Sequence, residues 1–364
     1  MSASAEGRWL EWVHGGGGLT GAAARTALAP LGALYGAGAL AYRWSYEIGL
    51  RRRSEPALPL VSVGALSVGG AGKTSVTARL AREALAAGKR PALVLRGYRR
   101  KGHDEVAVVS DGAVVKLDAR QAGDEAVLLA QGCPGAVVVV GKRRELAIER
   151  ARDLGADLAI LDDGFQYFRL RRDVDHVLVS TLDFGPQNRA FPAGVLREPA
   201  ATLSRASTIW VTYARSVSEE VLAEAVRWCE RHAPGVPRVL ADYRVAGCRR
   251  LDDGAEVKVE GAAVAAFCGI GKPAGFQRCI EGLEPRSVRM KPFPDHYWYD
   301  AADLRGVAEW ARSLGAEVVL TTAKDAVRLE AGMWPEDAPP LAVVEVEIEV
   351  FESKPPTLMG AGTV

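Results

Sequence analysis

Lys73 and Thr74 close the run Ser67-Val68-Gly69-Gly70-Ala71-Gly72 and are followed by Ser75. An ammonium and a hydroxyl behind several glycines are suited to holding phosphate oxygens. Without a Cβ, successive backbone N–H groups can converge on an anion where a helix begins. Lys73 would then reach the β- and γ-phosphates, and the Thr74 hydroxyl would ligate Mg²⁺. The strict G-x-x-x-x-G-K-[ST] spacing is not met, because Ser67 stands at the first glycine position. A second set is Asp162-Asp163-Gly164-Phe165-Gln166, directly after the apolar run 158–161. An Asp ending such a run is placed to hold a metal ion beside phosphates, and the second acid can orient water or another ion. Taken alone, Asp-Asp-Gly also reads as a turn.

Further candidates lie at similar punctuation points. Arg96-Gly97-Tyr98-Arg99-Arg100 follows the apolar run 91–95, and Phe191-Pro192-Ala193-Gly194-Val195-Leu196-Arg197-Glu198-Pro199 is a constrained loop with an Arg-Glu pair. Arg197 could neutralise a phosphate and Glu198 could reach a metal. Gly123-Asp124-Glu125 opens a helical run and by itself reads as acids complementing a helix dipole. Asp295-His296 is an Asp-His pair beside Tyr297, Trp298 and Tyr299; it is either a proton-handling pair poised near neutral pH or a packed structural histidine. Gly269-Ile270-Gly271 lacks the third glycine of a dinucleotide fingerprint.

These residues need a scaffold that presents strand ends. β-rich runs at 60–63, 91–95, 136–140, 158–161, 176–180 and 208–212 alternate with helical stretches. That alternation predicts a doubly wound, mostly parallel α/β sheet with ligands at the carboxyl ends of its strands. Runs at 239–245 and 343–350 are expected to pair as a ribbon. Between them, strands at 264–268 and 317–320 with the loop Thr321-Thr322-Ala323-Lys324-Asp325 form a smaller α/β segment. The expected organisation is an N-terminal helical segment (1–50), a P-loop domain (51–237), a two-stranded linker (238–252 and 341–352) and a smaller α/β domain (253–340).

The chain has 364 residues, 48% hydrophobic and 25% charged, with a formal net charge of +1. This is ordinary for a folded protein, and the near-zero balance gives no reason to expect a nucleic-acid partner. Five cysteines without C-x-x-C spacing indicate neither a zinc site nor a disulfide framework. From Thr26 to Tyr42 there is no charged residue, and Arg25, Arg43 and Arg51-Arg52-Arg53 flank the run. It is too rich in Ala and Gly to match a spanning helix of about 20 strongly apolar residues. With Trp9, Trp12, Tyr35, Tyr42, Trp44 and Tyr46 it reads as an interfacial helix on anionic lipid, or as a helix packed on the protein's own core.

Taken together, Ser67 to Thr74, Arg96-Gly97-Tyr98, Gly123-Asp124-Glu125, Asp162 to Gln166, Gly194-Val195-Leu196-Arg197-Glu198-Pro199, Phe267-Cys268-Gly269-Ile270-Gly271, Asp295-His296-Tyr297 and Thr321 to Asp325 closely resemble the tetraacyldisaccharide 4'-kinases of Gram-negative bacteria. The resemblance implies transfer of the ATP γ-phosphoryl group, with Mg²⁺, to the 4'-hydroxyl of an acylated glucosamine disaccharide 1-phosphate. It implies action at the cytoplasmic face of the inner membrane, with an N-terminal membrane-associated helix; a monomer is expected. It assigns Ser67 to Ser75 to the nucleotide, Thr74, Asp162, Asp163 and Glu198 to the metal, and Arg96, Gly97, Tyr98 and Gln166 to the substrate. Lys73 and Arg197 would act on the phosphoryl group. Asp124 would accept the hydroxyl proton, with His296 as its partner across a domain cleft. Ala65 and Ala323 depart from the family's usual Asn and Glu. The alternative from another class is a membrane-associated ATPase switch with a deviant Gly-Gly-x-Gly-Lys-Thr loop, whose lysine before the paired glycines is here Val68.

Overall fold

The computed structural model describes residues 18–98, 100–185, 188–271, 273–330 and 332–352; Trp9, Trp12 and Arg99 lie outside the described residues. Its strands in chain order are β1 (Leu60–Ala65), β2 (Pro91–Leu95), β3 (Val106–Asp111), β4 (Val137–Gly141), β5 (Leu158–Asp162), β6 (Val174–Ser180), β7 (Thr208–Thr212), β8 (Arg238–Arg250), β9 (Ala263–Cys268), β10 (Ser287–Pro292), β11 (Val318–Thr322) and β12 (Leu341–Glu352). The chain divides into two compact units. One comprises Met1–Arg96, Arg143–Asp242 and Val350–Val364; the other comprises Gly97–Lys142 and Tyr243–Glu349.

In the first unit the strand order is β7-β6-β1-β5-β2, and these neighbours pair in parallel. The expected mostly parallel α/β sheet is present. β1 lies at the centre and Val63 pairs with Asp162, so the glycine loop and the acidic pair leave adjacent strands at the same edge. β1, β2, β5 and β7 are buried along their whole length, as strands covered on both faces must be. The helix Lys73–Ala86 buries Val76, Thr77, Leu80, Ala81 and Ala84 on one face, which docks the start of that helix against the sheet.

The helix Gly18–Glu47 runs through Pro30. Its buried positions include Gly32, Gly36 and Tyr46. A Cβ on Gly32 would stand 2.9 Å from the Ala190 carbonyl oxygen, and one on Gly36 would stand 3.3 Å from Pro199 Cγ. Glycine therefore lets this helix lie directly on the 190–199 loop. Leu31, Leu34, Tyr35, Tyr42 and Trp44 are exposed on the same helix. Among the described residues, no helix is long and apolar enough to cross a membrane.

In the second unit the order is β10-β9-β11-β12-β8; β9 pairs in parallel with β10 and β11, and β11 with β12. β8 and β12 are neighbours, as the two alternating runs predict, and Arg244–Glu347 and Arg249–Glu345 ion pairs link them at 3.2 Å. β3 and β4 pair antiparallel. Phe267, Phe293, Tyr297 and Tyr299 pack with ring centroids 5.0–6.3 Å apart, and this cluster supports the segment that carries His296.

Gly64 is closely packed, since a Cβ there would lie 2.4 Å from Phe165 Cβ and 2.8 Å from the Phe165 backbone nitrogen. Backbone cannot swing aside as a flexible side chain can. Gly64→Ala is expected to cost about 1–3 kcal/mol, read as a lower urea midpoint; an unchanged midpoint would show that β1 and the backbone at Phe165 are not packed this closely.

Candidate active site

In the first unit the loop leaves β1 with Gly69 at φ 111° and Gly72 at φ 84°, conformations that favour glycine. Lys73 is the first residue of its helix. The loop is tied down on its outer side. Val68 N–H donates to the Val195 carbonyl (2.8 Å), the Thr212 hydroxyl donates to the Ala71 carbonyl (3.2 Å) and the Tyr213 hydroxyl to the Gly70 carbonyl (3.4 Å). Ser67 Oγ is buried with no hydrogen-bond partner among the described residues.

Five of the expected residues converge here. The Thr74 hydroxyl lies 3.4 Å from Asp162 Oδ2. Lys73 Nζ is 3.5 Å from Asp163 Oδ1, and Arg197 Nη1 donates to both Asp163 oxygens at 2.7 and 2.9 Å. Asp163 has φ 59°, a left-handed conformation uncommon for a residue other than glycine. Burial pushes the Asp163 carboxyl up, but the charges of Lys73 and Arg197 outweigh it and the net shift is downward. Asp163 is therefore an anion that aligns two cations.

Gln166 and Glu198 form a separate contact. Gln166 Nε2 donates to the Ala65 carbonyl (3.2 Å) and to Glu198 Oε1 (3.1 Å). Glu198 is 1% exposed and takes both oxygens to Arg205 Nη2, at 2.9 and 2.8 Å. Arg205 in turn lies over the Phe165 ring at 4.0 Å. Burial raises the Glu198 carboxyl, and Arg205 and Gln166 offset only part of that. Among the described residues no three His, Cys, Asp or Glu side chains gather as a metal cage. Arg96 is exposed at the end of β2. Burial, aided by the nearby charge of Arg96, pulls the Arg144 guanidinium below its ordinary value.

Asp124 and His296 meet in the second unit, 172 residues apart in sequence, with His296 Nδ1 2.8 Å from Asp124 Oδ2. They belong to one compact unit and do not face each other from two domains, as the sequence reading had it. Asp124 is the first residue of the helix Asp124–Gly132, and its Oδ1 accepts the Glu125 N–H at 2.9 Å. His296 has φ 60° and its N–H donates to the Gly269 carbonyl at 3.1 Å. Burial acts to raise the Asp124 carboxyl, but the His296 hydrogen bond and the charges of Lys324 and Arg328 prevail, so it sits below the usual carboxylate range. An ionised carboxylate only accepts, and the Lys324 ammonium, 3.5 Å from His296 Nε2, only donates. The two contacts select the tautomer with the proton on Nδ1. The Tyr98 ring lies 5.9 Å from that of His296 and is exposed; Gly97, at φ 71°, precedes it. Arg328 and Lys324 are the members that sequence reasoning did not single out as site residues.

A central parallel strand, a glycine loop at a helix start and an acid on the adjacent strand define a P-loop protein built to hold a phosphate chain. A family model described as tetraacyldisaccharide-1-P 4'-kinase matches residues 24–359. A tetraacyldisaccharide 4'-kinase of Anaeromyxobacter dehalogenans (strain 2CP-C) is 39% identical over 339 residues, covering 88% of this chain and 89% of that protein. One of Geobacter sulfurreducens is 38% identical, covering 85% and 87%. The crystal structure of LpxK from Aquifex aeolicus in complex with ATP is 28% identical with a TM-score of 0.70, covering 90% of this chain and 95% of that one. The chain belongs to the tetraacyldisaccharide 4'-kinase family. The ATPase-switch alternative is not favoured.

The Glu198–Arg205 pair yields a test with a defined pH dependence. Arg205→Met leaves the buried Glu198 carboxylate with the Gln166 amide but without its ion-pair partner, and is expected to cost about 3–5 kcal/mol at pH 7. The folded variant would hold a proton on Glu198 at a higher pH than the unfolded chain does. Its stability deficit should therefore shrink as pH falls toward that of an ordinary carboxyl. Denaturant unfolding across pH checks this, with Glu198→Gln/Arg205→Met expected to recover much of the loss; a deficit independent of pH and of Glu198 would contradict it.

Proposed function

We propose that this protein transfers the γ-phosphoryl group of ATP to the 4'-hydroxyl of a tetraacylated glucosamine disaccharide 1-phosphate, giving the bisphosphorylated lipid IVA of lipid A biosynthesis. Family membership supports the reaction. The single observation that carries the residue roles is the 2.8 Å contact between Asp124 and His296.

The donor set suits Mg²⁺. The Thr74 hydroxyl and the Asp162 carboxylate are hard oxygen donors 3.4 Å apart, and this ion commonly takes one or two protein oxygens and completes its shell with water and phosphate. When bound with ATP, Mg²⁺ neutralises charge on the phosphate oxygens. The backbone from Ser67 to Ser75 cradles the phosphate chain. Lys73 and Arg197, aligned by Asp163, offset charge spreading over the transferred group. Gln166, which also donates to Glu198, braces the carbonyl of Ala65 at the loop's entry. Asp124 accepts the hydroxyl proton as the new P–O bond forms. Because phosphoryl transfer proceeds through a loose transition state, a carboxylate of depressed pKa suffices as a positioned acceptor, and His296 orients it. Arg96, Gly97 and Tyr98 flank the acceptor sugar.

We further propose that the monomeric enzyme acts at the cytoplasmic face of the inner membrane. Leu34, 70% exposed, and Trp44, 63% exposed, lie on the helix Gly18–Glu47, with Arg51, Arg52 and Arg53 exposed beyond it. Such a face suits interfacial contact with anionic lipid. A groove of about 460 Å³ between this helix and the loop at 188–200, lined by Ala29, Ala33, Leu40 and Pro199 among others, offers apolar surface to acyl chains.

Purified protein with ATP, Mg²⁺ and detergent-dispersed disaccharide 1-phosphate should yield ADP and the bisphosphorylated lipid. Asp124→Ala should lose turnover by about 100-fold or more with little change in ATP affinity. ATP turnover without lipid phosphorylation, or an Asp124→Ala enzyme that loses ATP binding but not turnover at saturation, would count against the assignment. Deleting residues 1 to 45 should release the protein from sedimenting anionic vesicles; undiminished sedimentation would remove the membrane contact from this segment.

A further inference from the structure

Arg328 is 3% exposed and its guanidinium is engaged on every side. Nε lies 3.7 Å from Asp124 Oδ2 and donates to the Lys324 carbonyl at 3.1 Å. Nη1 donates to the Tyr297 carbonyl (2.9 Å), and Nη2 to the Gly269 carbonyl (3.2 Å) and to Asp325 Oδ1 (2.9 Å). Two of these carbonyls bracket His296. Tyr297 is its chain neighbour, and the Gly269 carbonyl is the one that accepts the His296 N–H. Asp325 is fully buried and is itself fixed by the Gly269 N–H (2.9 Å), the Tyr299 hydroxyl (2.8 Å) and the Thr322 hydroxyl (2.5 Å).

We propose that Arg328 is the positioning residue of the Asp124–His296 pair: one guanidinium, anchored on Asp325, faces the Asp124 carboxylate and clamps the backbone that presents His296. The inference rests on the reading of Asp124 as proton acceptor. No single-headed cation can replace it, because a planar fork with five donors reaches two carboxylates and three carbonyls at once. The left-handed backbone of His296 is uncommon for a non-glycine residue, and it is held by its surroundings; the Gly269 and Tyr297 carbonyls fixed by Arg328 are part of that support. The other charged or titratable groups facing the pair are Lys324 and Glu125, which contact each other at 3.5 Å, Asp295 at 3.8 Å from His296 Nε2, and Tyr98. Of these, Lys324 favours the ionised form of Asp124, whereas Glu125 and Asp295 do not. Removing the Arg328 charge therefore leaves burial less opposed, and the Asp124 carboxyl rises.

The test uses the full chain, ATP, Mg²⁺ and dispersed disaccharide 1-phosphate, with Arg328→Met, Arg328→Lys, Asp124→Asn and the Arg328→Met/Asp124→Asn double variant. Arg328→Met should lower kcat about 100-fold with the KM for ATP held within about twofold. The acidic limb of its kcat/KM profile should move to higher pH, since the base works only when ionised. Arg328→Lys should return that limb toward wild type while recovering only part of kcat, and the double variant should be no slower than Asp124→Asn. An unmoved limb, or the same loss on the Asp124→Asn background, would overturn the proposal. Should Arg328→Met fail to fold, wild-type kcat in Arg328→Lys overturns it equally. Asp124→Asn at the wild-type rate removes the proton-acceptor reading and the proposal with it. A slow Asp124→Asn beside an unimpaired Arg328→Met removes Arg328 alone.

Discussion

A buried carboxylate must be paired, and in this protein that requirement organises the second unit around Asp124. The residue is only 7% exposed, and burial alone would neutralise its carboxylate. The Nδ1 proton of His296, the Glu125 N–H and the charges of Lys324 and Arg328 keep it an anion. Those partners come from three separate stretches of chain, and the aromatic cluster of Phe267, Phe293, Tyr297 and Tyr299 packs beneath the one that carries His296.

The first unit solves the opposite problem, which is to hold two positive groups side by side without letting them repel one another. Asp163 does this by accepting both Arg197 and Lys73, while Asp162, one residue earlier, stays beside the Thr74 hydroxyl. Adjacent carboxylates thereby take different partners. The loop itself is shaped by glycine and fastened by Val68, Thr212 and Tyr213, so its backbone is arranged before any phosphate arrives. Preorganisation of this kind is where phosphoryl-transfer enzymes gain most of their rate.

How much of this could be read from sequence follows from how local each feature is. The P-loop, the acid at the end of β5 and the parallel alternation are written in contiguous residues, and they were legible. β3 and β10 were not: β10, Ser287–Pro292, alternates polar and apolar at a sheet edge and carries no apolar run. Asp124 by local pattern was one more acid at a helix start, and only its resemblance to a family singled it out. Its bond to His296 spans 172 residues, and sequence reasoning set the two on different domains, whereas residues 97–142 cluster with 243–349. Arg328 had no signal at all, because an arginine after Asp-Ala-Val looks like an ordinary solvated cation until its burial is known.

Phosphorus–proton correlation NMR of the lipid product reads directly whether the hydroxyl activated by this protein is the 4'-hydroxyl of an acylated disaccharide. A second phosphorus coupled to H4' of the distal glucosamine is expected, with the 1-phosphate unchanged. A product phosphorylated at any other position, or a lipid recovered unaltered while ATP is consumed, would contradict it.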